Sequence, residues 1–280
     1  MLRAVSTYLF VGQKLTGGTL ERIAKGGAEA VELFGAKQHF DYTDRTQMRE
    51  LASWFKQNPV RPHSLHSPLY SDNEWGASGA PAVNVVSEDK RIRIEAMDEI
   101  KRALESAELI PFRYLVQHMG EQNESTNERK FDYMLTAVEH IRAFAKPLGV
   151  TLLLENIPNE VSEPGQLKEV LRVGHFKDVG FCFDFGHAHM HGSVRADFEL
   201  MQDQIMSTHI HDNNQNQDNH LWPGDGTIDW ALAMQLIREA PHKPPILLEV
   251  NGDKETFDSA IPKLAKTFSL LDSHAEAKQA

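Results

Sequence analysis

Cysteine is nearly absent: Cys182 is the only one in 280 residues, so an internal disulfide is excluded. Its neighbours Gly180, Phe181 and Phe183 read as a buried strand rather than the setting of a reactive thiol, and a reducing cytoplasmic location is expected. Long apolar runs are missing too. No segment approaches the roughly 20 residues of a transmembrane helix. The opening MLRAVSTYLFVGQKLTGG has no apolar stretch leading to a small-residue cleavage site. A soluble, untargeted protein with no membrane partner is expected. Positive charge is in deficit, with 29 Lys and Arg against 40 Asp and Glu, a net charge of −11. That balance repels phosphate backbones at long range, and no local basic patch stands out, which disfavours nucleic acid. Bound metal ions would add positive charge locally and soften that argument. No glycine-rich phosphate fingerprint follows the first strand, and no low-complexity tract or 20 to 50-residue repeat is visible.

What is present is an alternation of short apolar runs with longer amphipathic stretches, the pattern of βα units and a parallel sheet. Eight such units fit. Their strands are expected at residues 4–10, 30–34, 61–65, 114–117, 151–155, 179–184, 207–211 and 246–249. Thr46 is the expected N-cap of the second helix, and Gly149 closes the helix that ends near Leu148. Eight units match barrel closure better than an open doubly wound sheet, so the expected fold is α/β, a single (β/α)₈ TIM barrel over residues 1–280. Residues 70–87, rich in Gly, Ala, Ser, Pro and Asn, form a long βα loop, either a lid or a surface insertion, and residues 272–280 a frayed tail.

Fourteen histidines are the informative excess, several of them beside carboxylates just after apolar runs. In a βα barrel, catalytic groups lie at the C-terminal ends of strands. Strand five, TLLLE, ends on Glu155; strand six, VGFCFD, ends on Asp184; strand seven reaches His209; strand eight, ILLE, ends on Glu249. A lone glutamate at a strand end is commonly a solvated rim residue or a cap. Four successive strands delivering a carboxylate or imidazole to one rim point instead to a divalent-metal site, suited to Mn²⁺, Co²⁺, Mg²⁺ or Zn²⁺. A second set surrounds it as additional metal or substrate-binding candidates: His66, His118, His187, Asp218 and His220. Asp218 and His220 are one residue apart, so in an extended loop they point the same way. His189 and His191 read as surface or supporting groups on the turn after strand six, His211 is left open, and Asp212 reads as a residue that holds a neighbouring ligand or caps the loop.

The segments LLLENIPNE (152–160), FDFGHAH (183–189), THIHD (208–212), DNHLWPGDGTIDW (218–230) and LLEV (247–250) occur in order at barrel spacing. Together they resemble the xylose-isomerase-like TIM-barrel superfamily of sugar and sugar-phosphate isomerases, ketose 3-epimerases and apurinic endonucleases of the endonuclease IV type. The resemblance covers nearly the whole chain. Likeness to the epimerases implies one metal held by Glu155, Asp184, His209 and Glu249, with Glu155 and Glu249 as the acid/base pair of an enediolate mechanism and His187 gripping sugar oxygens. Likeness to the nucleases implies a three-zinc cluster on His66, His118, Glu155, Asp184, His187, His209, Asp218, His220 and Glu249. FDFGH departs from the cysteine-containing form of those nucleases, and GAKQHFDYTDR offers no arginine-rich strand-penetrating loop. The expected function is therefore a divalent-metal-dependent sugar or sugar-phosphate isomerase or epimerase. A three-zinc apurinic endonuclease and a non-catalytic sugar-binding barrel are the alternatives, and homo-oligomerisation is left open.

Overall fold

Parallel pairing links eight strands: β1 (Arg3–Ser6), β2 (Ala30–Phe34), β3 (Arg61–His66), β4 (Tyr114–Gln117), β5 (Thr151–Glu155), β6 (Gly180–Asp184), β7 (Ile205–His209) and β8 (Ile246–Leu248). The computed structural model describes residues 1–77, 79–252 and 256–276. Ladder pairing runs from β7 through β1 to β8. The ends meet where Ile210 N donates to Leu247 O at 2.8 Å and Glu249 N donates to Ile210 O at 3.0 Å, closing the sheet into a (β/α)₈ TIM barrel. Around it lie helices α1 (Gly17–Lys25), α2 (Arg45–Gln57), α3 (Lys90–Leu104), α4 (Glu128–Ala145), α5 (Pro164–Val173), α6 (Phe185–His191), α7 (Val194–Met201), α8 (Trp230–Glu239) and α9 (Phe257–Glu276). None of the described helices is long and apolar enough to cross a membrane.

Side chains alternate across each strand, so every strand contributes to two cores. Val31, Leu33, Leu65, Leu115, Leu152 and Phe183 belong to the large cluster that includes the surrounding helices. The intervening positions turn inward, where Ala4, Ala30 and Leu247 form one small apolar cluster and Tyr114, Val116, Leu153 and Cys182 another. The same alternation carries Glu32, Glu155, Asp184 and His209 to the barrel interior: Glu32, Glu155 and Asp184 lie two residues beyond Ala30, Leu153 and Cys182, and His209 is in register with Asp184. Apolar strands are thus obligatory on both faces, and an ionisable residue within them is buried wherever it falls.

Local chemistry moves several boundaries from those expected. β1 stops at Ser6, whose hydroxyl accepts from Tyr8 N and starts a 3₁₀ turn over Thr7–Phe10. Asp44 rather than Thr46 caps α2, its carboxylate accepting from Thr46 N at 2.9 Å and Gln47 N at 3.3 Å; a charged acceptor suits the positive end of a helix. Gly149 stops the turn after α4 in the left-handed region, at φ 74°. The expected turn after β6 is instead helix α6, capped by Asp184, which accepts from His187 N at 2.7 Å. Residues 272–276, expected in a frayed tail, continue α9: Leu271 and Ala275 pack on the core and Asp272 pairs with Arg3. Residues 277–280 lie outside the described residues. The segment after β3 folds back on itself through pairing of Tyr70 with Ala82, and Trp75 sets its ring edge-on to Tyr8 and Phe34 beside the barrel mouth.

The loop between β7 and α8 is wound around one buried carboxylate. Asp212 accepts from Asn213 N, Gly224 N, Ile228 N and the Trp230 indole N–H at 2.8–3.1 Å, and its own backbone pairs with Leu221. Gly226 passes so close that a Cβ there would lie 2.4 Å from Asp212 Oδ1. Asp212→Ala would strand several buried donors, each costing about 1–3 kcal/mol. It is expected to lower stability in urea denaturation by about 3 kcal/mol or more, whereas a loss near zero would show that the loop does not depend on this carboxylate.

Candidate functional site

The C-terminal ends of β5, β6, β7 and β8 converge on His209. Its Nδ1 lies 3.1 Å from Glu155 Oε1, 3.3 Å from Glu249 Oε2 and 3.8 Å from Asp184 Oδ2. All four residues are buried, and one donor atom from each lies within 4.8 Å of the others. Glu155 also faces a second group: its Oε2 is 3.1 Å from His118 Nε2 and 3.6 Å from His66 Nε2. A third group gathers on Asp218, whose Oδ2 is 3.0 Å from His187 Nε2 and 3.2 Å from His220 Nε2. All nine residues singled out from the sequence therefore meet at one end of the barrel, in three adjoining sets that share Glu155 or abut it.

The histidines are held by their outward nitrogens. His66 Nδ1 donates to Ser67 O at 2.8 Å, His187 Nδ1 to Asn156 O at 2.9 Å and His220 Nδ1 to Glu249 O at 2.8 Å. Each bond leaves Nε2 as the nitrogen that faces the carboxylates. His209 is reversed, with Nε2 bonded to Glu32 and Nδ1 facing the other carboxylates. Metal-binding imidazoles need this arrangement, one nitrogen anchored and the other turned toward the ion, which takes the place of its proton. Glu249 Oε1 is buried without a hydrogen-bond partner among the described residues, which is costly for an acceptor that has no cation to meet. Donor identity, spacing and that orphaned oxygen fit a divalent ion at the Glu155, Asp184, His209 and Glu249 set.

Three residues not assigned a role from the sequence support this centre. Asn156 clamps β5 to β6, its amide donating to Asp184 O and accepting from Asp184 N, both at 2.9 Å. Glu32, fully buried on β2, accepts from His209 Nε2 at 3.1 Å. His211 is fully buried, with Nε2 3.1 Å from Asp184 Oδ2. Its ring stacks on His220 at 3.8 Å and 15°. Because an imidazole binds a metal in its own ring plane, two parallel stacked rings cannot share an ion, so His211 serves Asp184 rather than joining His220. His189 is half-buried and His191 exposed, the latter paired with Asp197 at 2.7 Å. A cleft of about 690 Å³ opens over the site between Ser67, Tyr70, His118, Gln122, His187 and Asp218. A side chamber of about 490 Å³ adjoins it at Asn123 and Ile157.

Electrostatics follow from packing acids and imidazoles together out of water. Burial would raise Glu155, but His209 and His118 hold its carboxyl well below the usual range. Burial likewise opposes ionisation of Asp184, and His187 and His211 outweigh it. Glu249 goes the other way, burial lifting it despite His209 and His220. Burial works against a charged His220, yet Asp218 pushes it up to about 9. A histidine with a raised folded pKa gives stability that is complete below its unfolded pKa of about 6.5 and is lost as pH rises through the folded value. Chelator-treated protein should therefore lose stability between pH 6.5 and 9.5, by on the order of a few kcal/mol. Divalent metal should reverse the trend because it binds neutral imidazoles. Urea denaturation at both pH values with and without Mn²⁺ checks this; a flat profile without metal would contradict the His220–Asp218 pairing.

Comparison with known proteins agrees with this architecture. The family model described as xylose isomerase-like TIM barrel matches residues 20–273. An inosose isomerase of Halalkalibacterium halodurans is 24% identical over 245 residues, covering 82% of this chain and 81% of that protein. A probable endonuclease 4 of Natranaerobius thermophilus is 25% identical over 241 residues, covering 76% and 80%. Among solved structures, a D-tagatose 3-epimerase-like protein superposes with TM-score 0.81 at 23% identity over 100% of both chains. The IolI protein, crystallised with a zinc atom, superposes with TM-score 0.81 at 20% identity over 98% of both. The chain belongs to the xylose isomerase-like TIM-barrel family.

Proposed function

We propose that the protein is a divalent-metal-dependent isomerase or epimerase of a sugar or sugar phosphate, working in the cytoplasm through an enediolate. The observation that carries this reading is the convergence of Glu155, Asp184, Glu249 and His209 Nδ1 beneath an open cleft. An inosose isomerase among the relatives, an epimerase-like structural neighbour and zinc in another neighbour support it. When bound, a Mn²⁺, Co²⁺, Mg²⁺ or Zn²⁺ ion would polarise the substrate carbonyl and its neighbouring hydroxyl, which makes the adjacent C–H acidic enough to lose its proton near neutral pH.

The chain's own residues would divide the remaining work. Glu155 and Glu249 reach the mouth from β5 and β8 and serve as the two proton-transferring groups. One takes the carbon-bound proton; the other returns a proton to the enediolate, so no net charge or atom is gained. Glu155, fixed between His118 and His209, keeps its carboxylate ionised and is the group suited to take the carbon-bound proton. Glu249, whose carboxyl is lifted by burial, is the group suited to carry the proton that is returned, and the proton on Glu155 passes back to solvent or to Glu249 to complete the cycle. His66, His118, His187, Asp218 and His220 orient substrate oxygens or hold further ions. Among the described residues lining the cleft and its side chamber there is no lysine or arginine, while Gln117, Gln122, Asn123, Asn216 and Gln217 offer amides suited to hydroxyl groups.

One observation favours a second reading, a multi-metal phosphodiester hydrolase: His66 and His118 meet Glu155, and His187 and His220 meet Asp218, giving two further donor sets. The two chemistries differ in the bond that breaks. A panel of ketoses and ketose phosphates in deuterated water with Mn²⁺ or Co²⁺, read by NMR, is expected to show deuterium entering a carbon next to a carbonyl. Glu155→Gln and Glu249→Gln should lower that exchange by at least about 10²-fold. Efficient Glu155-dependent cleavage of abasic DNA, with no exchange in any sugar, would overturn the isomerase reading in favour of the hydrolase.

A further inference from the structure

Glu32 is the one carboxylate of the cluster that does not face the mouth. It projects inward from the middle of β2, in register with Ser6 of β1 and Ser64 of β3, and is fully buried. Its Oε1 is 3.1 Å from His209 Nε2, and its Oε2 accepts from Ser64 Oγ at 2.8 Å. Glu155, Asp184 and Glu249 all approach the same imidazole from its Nδ1 side. The ring therefore separates Glu32 from the other three carboxylates. A direct ligand role for Glu32 at the mouth is thus ruled out by position, yet a buried carboxylate would not be kept one layer below without a partner that needs it.

We infer that Glu32 is a positioning residue of the metal centre: it takes the Nε2–H of His209, which fixes the ring and leaves Nδ1 as the donor atom toward the ion. His66, His187 and His220 are anchored on the side away from the carboxylates by neutral backbone carbonyls, whereas His209 is anchored there by the carboxylate of Glu32. A hydrogen bond to a carboxylate is stronger than one to a carbonyl and makes the imidazole a more basic ligand. Ser64 keeps the carboxylate from rotating away by occupying its second oxygen. The inference rests on the metal centre proposed above but not on the reaction catalysed there.

The test is metal binding rather than turnover. Full-length protein, freed of metal by chelation, is titrated with Co²⁺ and followed by the visible absorption of the bound ion. Glu32→Gln keeps the shape and one acceptor while removing the charge; Glu32→Leu removes the acceptor as well. Affinity is expected to fall by about 10-fold in the first and about 100-fold in the second, with the thermal midpoint of metal-free Glu32→Gln close to wild type. In Zn²⁺-loaded wild type labelled with ¹⁵N-histidine, a slowly exchanging, downfield imidazole N–H assigned to His209 Nε2 should be seen. It should be lost in Glu32→Leu, a signature that a merely space-filling role would not move. Equal Co²⁺ affinity in wild type and Glu32→Gln, with the N–H signal absent from wild type, would overturn the assignment. Wild type that binds no Co²⁺ would overturn the metal centre and this inference together, whereas binding without any sugar or DNA chemistry would leave Glu32's role standing and remove only the proposed reaction.

Discussion

Four carboxylates, Glu32, Glu155, Asp184 and Glu249, are buried around one imidazole, His209. Such a gathering of like charge out of water is strongly unfavourable unless positive charge is supplied at its centre. Without metal, that charge comes from protons: carboxylates around His209, and Asp184 and Asp218 around His187, raise both imidazoles well above their ordinary range against the effect of burial. A divalent ion bound as proposed would supply the same charge at one point and release those protons, so that stability, pH response and chemistry would share one origin.

The rest of the barrel top holds these side chains in place. Strand ends bring the carboxylates in because the alternating pattern that fills the barrel interior with Ala4, Leu153 and Cys182 carries the residues two places later to the rim. Asn156 locks β5 to β6 and so fixes Glu155 relative to Asp184. Asp184 has a double duty, capping α6 through His187 N with one oxygen while the other meets His211. Asp212 winds the loop that carries Asp218 and His220 back over the mouth. Each of these is a local hydrogen-bonding solution, and together they leave few ways for the ligand set to relax.

Much of this was legible in the sequence, for a physical reason. Glu155 and Asp184 end apolar runs, Glu249 follows one, and His209 closes β7, so βα periodicity alone put them on one rim. What escaped followed other signals. Glu32 sits inside AVELF, where a mid-strand glutamate looks like the exposed half of an alternating strand; only closure of the barrel turns that face inward. His211 lies just beyond β7, and its role depends on Asp184 from a different strand. Helix α6 is seven residues long, too short for periodicity to show, and is fixed by the same Asp184 that serves the site. The α2 cap is Asp44 because its carboxylate takes the Thr46 and Gln47 N–H groups, which starts the helix at Arg45 and leaves Thr46 inside the first turn. Residues 272–276 continue α9 because Leu271 and Ala275 pack on the barrel, a contact that HAEAKQA, with no apolar stripe of its own, does not signal.

The proposed metal centre is tested most directly by where an ion sits. Crystals grown with Mn²⁺ or Co²⁺ and measured at the absorption edge of the ion locate it by anomalous scattering, independently of any assay. The result expected is a peak at about 2.0–2.3 Å from His209 Nδ1 and from oxygens of Glu155, Asp184 and Glu249, with Glu32 still bonded to Nε2 on the far side of the ring. Fully loaded crystals whose only peaks lie at surface carboxylates, with the His209 pocket holding no ion, would contradict it.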